Sequence, residues 1–204
     1  LNRFHLTIAP GETRRTEGGG YVQDEFSANA HVRVVLGARA DKFSSISSAV
    51  FSPRVALLLK PQETQTFRVS YNRAFRAPSM VNNNLNITIA NPLPLSTFGL
   101  PGAFLVPTDA VGNKGLVEEH VDAAELGYTG VFRKRTTVSA AVYYSRLRNQ
   151  ILFTETQEWP TSTPPAGWPL PAPFWGLVQA SAHFPKTFTY LNFGSRLLNS
   201  LGGG

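Results

Sequence analysis

The chain has 204 residues, 42% apolar, 16% charged and 11% aromatic, which is too apolar for a disordered segment and light in surface charge for a domain wetted on every side. Its net charge of +6 is carried by scattered basic residues without a stripe or a recognition motif, which argues against nucleic-acid binding. Cysteine is absent, excluding disulfide frameworks and thiolate metal sites, and no apolar run approaches the roughly 20 residues of a spanning helix, so any passage through a membrane must use strands.

Apolar and polar residues alternate with a period of two along most of the chain, which predicts strands over residues 2–8, 20–28, 31–42, 52–60, 64–75, 119–131, 136–153 and 187–193. Several exceed the five or six residues common in strands of globular proteins. In the third segment Val32, Val34, Leu36, Ala38 and Ala40 share one face, while Arg33, Gly37, Arg39 and Asp41 share the other. In the fifth, Phe67, Val69 and Tyr71 oppose Thr66, Arg68, Ser70 and Asn72; in the sixth, Leu126 and Tyr128 oppose Glu125, Gly127 and Thr129. An arginine in lipid at the bilayer midplane costs about 2–4 kcal/mol, whereas one in a wet lumen is solvated, so this segregation is what a barrel wall requires. The seventh segment fits less cleanly: Val138, Ala140, Val142 and Tyr144 continue on one parity into Arg146 and Arg148, which must then stand above the apolar band.

The predicted connections alternate in length. Residues 29–30, 61–63 and 132–135 are tight links, whereas 9–19, 43–51, 76–118 and 154–186 are long, an arrangement that puts tight turns on one rim of an up-and-down meander and long loops on the other. Pro53 stands in the first residues of a strand, where its missing N–H costs no ladder bond. Pro78 ends the pairing of its strand and opens the longest loop, leaving Arg73 and Arg76 at the rim. Those arginines read either as an anion-attracting vestibule or as partners of lipopolysaccharide phosphates or loop carboxylates.

The loop over 76–118 carries Asn82, Asn83, Asn84 and Asn86 with Pro92, Pro94 and Pro101, a composition that favours turns over regular strand. The loop over 154–186 holds Trp159, Trp168 and Trp175 among Pro160, Pro164, Pro165, Pro169, Pro171 and Pro173. Rings on so stiff a scaffold can stack on a flat ligand; the competing expectations are a loop packed on its own rings and aromatics resting at the membrane interface. No catalytic constellation is present: His5, His31, His120 and His183 have no metal-type spacing, no histidine accompanies a nucleophile-elbow serine, and Gly18-Gly19-Gly20 lacks the lysine and helix of a phosphate loop. The chain is therefore read as no enzyme, with no cofactor and no resident metal. The first residues show no signal peptide, so the start of an exported chain is expected upstream.

The ordered strings YVQDEF (21–26), LGARAD (36–41), FSPRVAL (51–57), FRVSYNRAFRAPS (67–79), EEHVDAAELGYTG (118–130), VSAAVYYSRLRNQI (138–151) and YLNFGS (190–195) together resemble the barrel of a TonB-dependent outer-membrane receptor. FRAPS after one strand and ELGY after the next loop form the distinctive pair. The resemblance implies an all-β, antiparallel, up-and-down transmembrane barrel of 22 strands, of which this chain supplies about eight over residues 1–195, with extracellular loops at 76–118 and 154–186. It further implies a bacterial outer-membrane location, contact with outer-membrane lipid and lipopolysaccharide, and a plug and TonB-contacting segment outside this sequence. The partner on that account is the TonB energy-coupling complex, and the role is uptake of a small-molecule nutrient, foremost a ferric siderophore or similar metal chelate, with Arg73, Arg76, Trp159, Trp168 and Trp175 as candidate ligand-facing residues. Residues 196–204, ending Asn-Ser-Leu-Gly-Gly-Gly, depart from the strand pattern and are expected to form an irregular, truncated tail. The alternatives are another outer-membrane barrel, such as a porin, adhesin or barrel lipase, and a soluble β-rich binding domain. A soluble domain would tolerate polar residues on both faces, and a barrel lipase would need a Ser/His pair.

Overall fold

The structure, a computed structural model, describes residues 12–194 and 196–203; the strand expected over residues 2–8 lies outside the described residues. The chain divides into two units, each built from interleaved segments.

The first unit, here called the wall, is a seven-stranded sheet. Its strands are β1 (Glu17–Asn29), β2 (Val32–Phe43), β3 (Val50–Gln62), β4 (Gln65–Arg76), β7 (Glu119–Phe132), β8 (Thr136–Arg148) and β11 (Arg196–Gly203), hydrogen-bonded in the order β1-β2-β3-β4-β7-β8-β11. Every neighbouring pair is antiparallel. Six of the strands run 12–14 residues, past the roughly 9–11 that a tilted strand needs to cross a bilayer.

Tight turns join β1 to β2, β3 to β4 and β7 to β8, all at one end of the sheet, and the long connections leave from the other. Local chemistry sets the turns. Asn29 Oδ1 accepts the His31 N–H at 2.8 Å. Between β7 and β8, Arg133 (φ 51°) and Lys134 (φ 58°) both take left-handed backbone, and the Arg135 N–H closes on the Phe132 carbonyl at 3.1 Å. Two successive left-handed residues within this three-residue connection match the right-handed twist of the flanking strands, at a conformational cost that Asn-Gly would avoid.

The second unit, here called the insertion unit, comes from the two segments expected to be loops. It contains helix α1 (Met80–Asn84), β5 (Asn86–Pro94), a single 3-10 turn (Leu95–Phe98), β6 (Ala103–Val111), most of β9 (Gln150–Glu158), α2 (Ala172–Ala182) and β10 (Pro185–Phe193). Its four strands hydrogen-bond in the order β5-β6-β10-β9. The expectation of irregular loop over 76–118 is therefore corrected. Pro92 and Pro94 bar a central strand, but β5 is an edge strand, where a missing N–H faces no partner. Likewise the prolines of 154–186 do not prevent α2, because Pro171 is its N-cap and Pro173 lies in its first turn, where backbone N–H groups have no helical acceptor.

Three further expectations change. The strand predicted over 136–153 breaks at Asn149, whose left-handed backbone (φ 53°) ends β8 before β9 begins. The strand predicted over 187–193 is real but pairs in parallel with β6, through Thr187↔Asp109 and Phe188↔Ala110, rather than joining the wall. The tail expected to be irregular is β11, paired with β8 from Arg196↔Leu147 to Gly203↔Ala140; backbone pairing supplies order that its glycine-rich composition does not announce.

Candidate functional site

Register decides which side chains share a face. One row across the wall reads Phe26, Val34, Leu57, Val69, Leu126 and Val142, one residue from each of β1, β2, β3, β4, β7 and β8 and all apolar. The row beside it on the same face reads Val32, Leu59, Phe67, Tyr128 and Ala140. On the opposite face the corresponding row is Gln23, Gly37, Arg54, Asn72, Ala123 and Ser145. The apolar row is not covered: Val69, Leu126 and Val142 are 49%, 55% and 51% exposed. Water would penalise such a continuous exposed stripe, whereas lipid would not.

The polar face lines a hollow of about 630 Å³ bordered by Gln23, Arg39, Ser52, Arg54, Arg68 and Asn72. Most of its charges are matched. Arg33 meets Glu25 at 2.8 Å, Arg39 grips Asp41 through Nε and Nη2 at 2.6 and 2.8 Å, and Arg68 meets Glu125. Arg54 makes no ion pair among the described residues, which leaves it the free cation of this lining. Its parity was legible, but its isolation depends on cross-strand register that the sequence does not display.

The two rim arginines fall on opposite faces. Arg76 is on the polar face and bonds Glu119, its register partner, at 2.7 and 2.9 Å. Arg73 is on the apolar face, above the aliphatic row, in a cluster around Asp122. Asp122 Oδ1 accepts from Tyr71 Oη and from Arg73 Nε, each at 2.7 Å, while Arg148 Nε lies 3.4 Å and His120 Nε2 4.0 Å from Oδ2. Arg146 is the register partner of Asp122. The carboxylate accounts for the awkward parity of the seventh predicted strand: Arg146 and Arg148 do stand above the apolar band, and Asp122 stands with them.

The three tryptophans converge in the insertion unit. Trp175, on α2, is fully buried with Val106 and Val178. Its ring meets Trp168 edge to face at 5.2 Å and Trp159 at 6.4 Å, and stacks on Phe184 at 6.3 Å. Trp175 Nε1 donates to the Pro160 carbonyl at 2.6 Å and Trp159 Nε1 to that of Pro107 at 2.9 Å. These rings form the core of the unit, as the self-packed alternative expected. The same unit places His183 Nε2 3.2 Å from Glu158 and 3.9 Å from Glu155, a cluster with metal-ligand chemistry that histidine spacing alone did not reveal.

A long-stranded antiparallel sheet with one apolar face, one ionic face, tight turns on one rim and long excursions on the other is a segment of an outer-membrane-type β-barrel. The family model "TonB dependent receptor-like, beta-barrel" matches residues 3–197, and the chain belongs to that family. TonB-dependent receptors are outer-membrane transporters rather than enzymes. No curated protein matches the chain. Among solved structures it is similar to the siderophore receptor PirA of Acinetobacter baumannii (18% identity, TM-score 0.64), covering 93% of this chain and 25% of that one. A mutant of the ferric enterobactin receptor PfeA of Pseudomonas aeruginosa gives 16% identity and a TM-score of 0.67 over 93% of this chain and 24% of the other. The Serratia marcescens hemophore receptor HasR, in complex with its hemophore HasA and heme, gives 12% identity and a TM-score of 0.62 over 93% and 31%. The chain thus spans between a quarter and a third of the length of these structures.

Proposed function

We propose that this chain is part of the barrel wall and outer loops of a TonB-dependent receptor that takes up a ferric siderophore or a similar metal chelate across a bacterial outer membrane. The observation that carries the reading is the six-strand apolar row, which fits lipid on one side of the wall, set back to back with an ionic lining that fits a wet lumen. The names of the similar solved structures, two siderophore receptors and a hemophore receptor, favour an iron chelate over other cargo. A plug domain and a TonB-contacting segment, supplied elsewhere in the intact receptor, occupy the lumen and couple it to the energised inner membrane.

On this reading the ligand-facing charge belongs to Arg54, the free cation of the hollow, with Arg76 contributing near the long-connection rim; an anionic chelate meets both on the polar face. Arg73 faces lipid. The tryptophans act as the core that holds the insertion unit in shape, not as a stacking platform. The test is uptake of iron-55 by iron-starved cells, presented as ferric catecholates, ferric hydroxamates and haem, with and without the gene and with and without a protonophore. Saturable uptake of one chelate that disappears on deletion and on uncoupling is the expected result. Uptake of every chelate unchanged by deletion would overturn the proposal.

A further inference from the structure

The insertion unit carries a cluster of polar side chains that stands outside its tryptophan core. Glu155 and Glu158 come from β9, and His183 is the residue at which α2 ends. The backbone brings them together: the N–H of Trp159, next after Glu158, donates to the carbonyl of Phe184, next after His183, at 3.2 Å. Trp159 and Phe184 both pack on the buried Val106, Trp175 and Val178, so the core fixes the end of β9 beside the end of α2. His183 takes left-handed backbone (φ 49°) at that helix end, a place that glycine or asparagine fills with less strain. In that conformation its imidazole stands against β9, with Nε2 3.2 Å from Glu158 Oε1 and 3.9 Å from Glu155 Oε1.

Distance and charge both suit a metal ion. One ligand atom from each of the three side chains lies within 4.8 Å of the others. Donors bound about 2.0–2.2 Å from a tetrahedral ion stand roughly 3.3–3.6 Å apart, and the two histidine-to-glutamate spacings bracket that range. Glu158 and His183 are more than half exposed, so small side-chain rotations complete the set. Two carboxylates face one imidazole, which leaves two negative charges with the ring neutral and one with it protonated. Among the described residues no lysine or arginine lies within ion-pair distance of either glutamate; Lys186 instead lies over the Trp159 ring at 5.2 Å. A divalent ion balances both carboxylates. Imidazole nitrogen with carboxylate oxygen suits zinc and its transition-metal neighbours, whereas calcium and magnesium take oxygen ligands.

We infer that Glu155, Glu158 and His183 form a binding site for a divalent transition-metal ion of the zinc class, which ties the end of β9 to the end of α2 and leaves its remaining coordination positions to water. The site stands whether or not the wall serves a ferric chelate. The intact protein, purified in mild detergent without a histidine tag and stripped with EDTA, is titrated with zinc chloride by isothermal calorimetry. One equivalent should bind in the micromolar range. Glu155→Gln/Glu158→Gln should weaken binding at least tenfold, and so should His183→Asn, which keeps a residue that tolerates left-handed backbone, while heat-modifiable gel mobility stays unchanged. Zinc X-ray absorption of the wild-type protein, which needs no variant, should show one imidazole nitrogen at about 2.0–2.1 Å with oxygen ligands. Saturating zinc should also slow protease cleavage within residues 158–183, and the variants should lose that protection. Failure to bind zinc, equal affinity in both variants, a bound zinc without imidazole, or displacement by equimolar calcium would overturn the site. Zinc binding that the variants abolish, in cells whose iron uptake does not depend on the gene, would uphold the site and sink the receptor reading alone.

Discussion

Replacing Val69 with arginine puts a charge into the centre of the six-strand apolar row, where its register partners are Leu57 and Leu126. Val69 is 49% exposed, and the exposed half faces lipid on the reading above. The guanidinium cannot turn to the lumen, because side-chain parity is fixed by pairing on both sides of β4. At the midplane the cost is about 2–4 kcal/mol, which lowers the folded-to-unfolded ratio by roughly 30- to 1,000-fold at 1.4 kcal/mol per tenfold. The adjacent substitution Ser70→Arg points the same group into the hollow, opposite Glu125, and should change stability by no more than about 0.5 kcal/mol. The measurement is urea unfolding of the intact receptor in phospholipid vesicles, followed by heat-modifiable gel mobility. Equal destabilisation by the two variants, or the greater loss with Ser70→Arg, would refute the assignment of faces.

Four further outcomes are expected. Asp122→Asn removes the anion shared by Arg73, Arg148 and Tyr71 and should destabilise the receptor by about 1–3 kcal/mol in the same unfolding assay, these partners being partly screened. Trp175→Ala should cost the insertion unit about 3–5 kcal/mol, seen as rapid protease cleavage within residues 152–191 while the gel mobility of the barrel is kept. Gly112→Ala brings a Cβ within 2.5–2.6 Å of the Asn83, Asn84 and Leu85 backbone, so overpacking should cost about 1–3 kcal/mol, with cleavage concentrated in 79–116. Conversely, Arg133→Asn/Lys134→Gly relieves two left-handed residues in the β7–β8 turn and should raise the urea midpoint, equivalent to about 1–2 kcal/mol.

The wall was legible because its signal is short-range. Alternation in Val32–Ala40 and in Phe67–Asn72 follows directly from the pleat, and the lengths of the connections place the turns. The insertion unit was not, because its elements break local rules in ways that only position excuses: Pro92 and Pro94 are acceptable in β5 only at a sheet edge, and Pro171 and Pro173 in α2 only at its first turn. Parallel pairing of β10 with β6 joins residues nearly 80 apart in sequence, as in the bond from Thr189 to Val111, and no local pattern announces it. The same distance hides the role of Asp122. In sequence it is one acid in a strand; only the register of β4 and β8 shows that it gathers Arg73 and Arg148.

Arg76 and Glu119 bear on how much of this chain can be exchanged without disturbing the wall. They face each other as the last residue of β4 and the first of β7, and their ion pair clasps the two ends of an excursion of 42 residues. Leu147 and Arg196 stand in register where the second excursion departs and returns. With both exits anchored, lengthening or exchanging the intervening chain adds only the slow logarithmic cost of loop closure and leaves every wall register intact. The two excursions also build one unit with its own tryptophan core, so they form a cassette that can be exchanged as a pair while the pairing of the wall strands is kept.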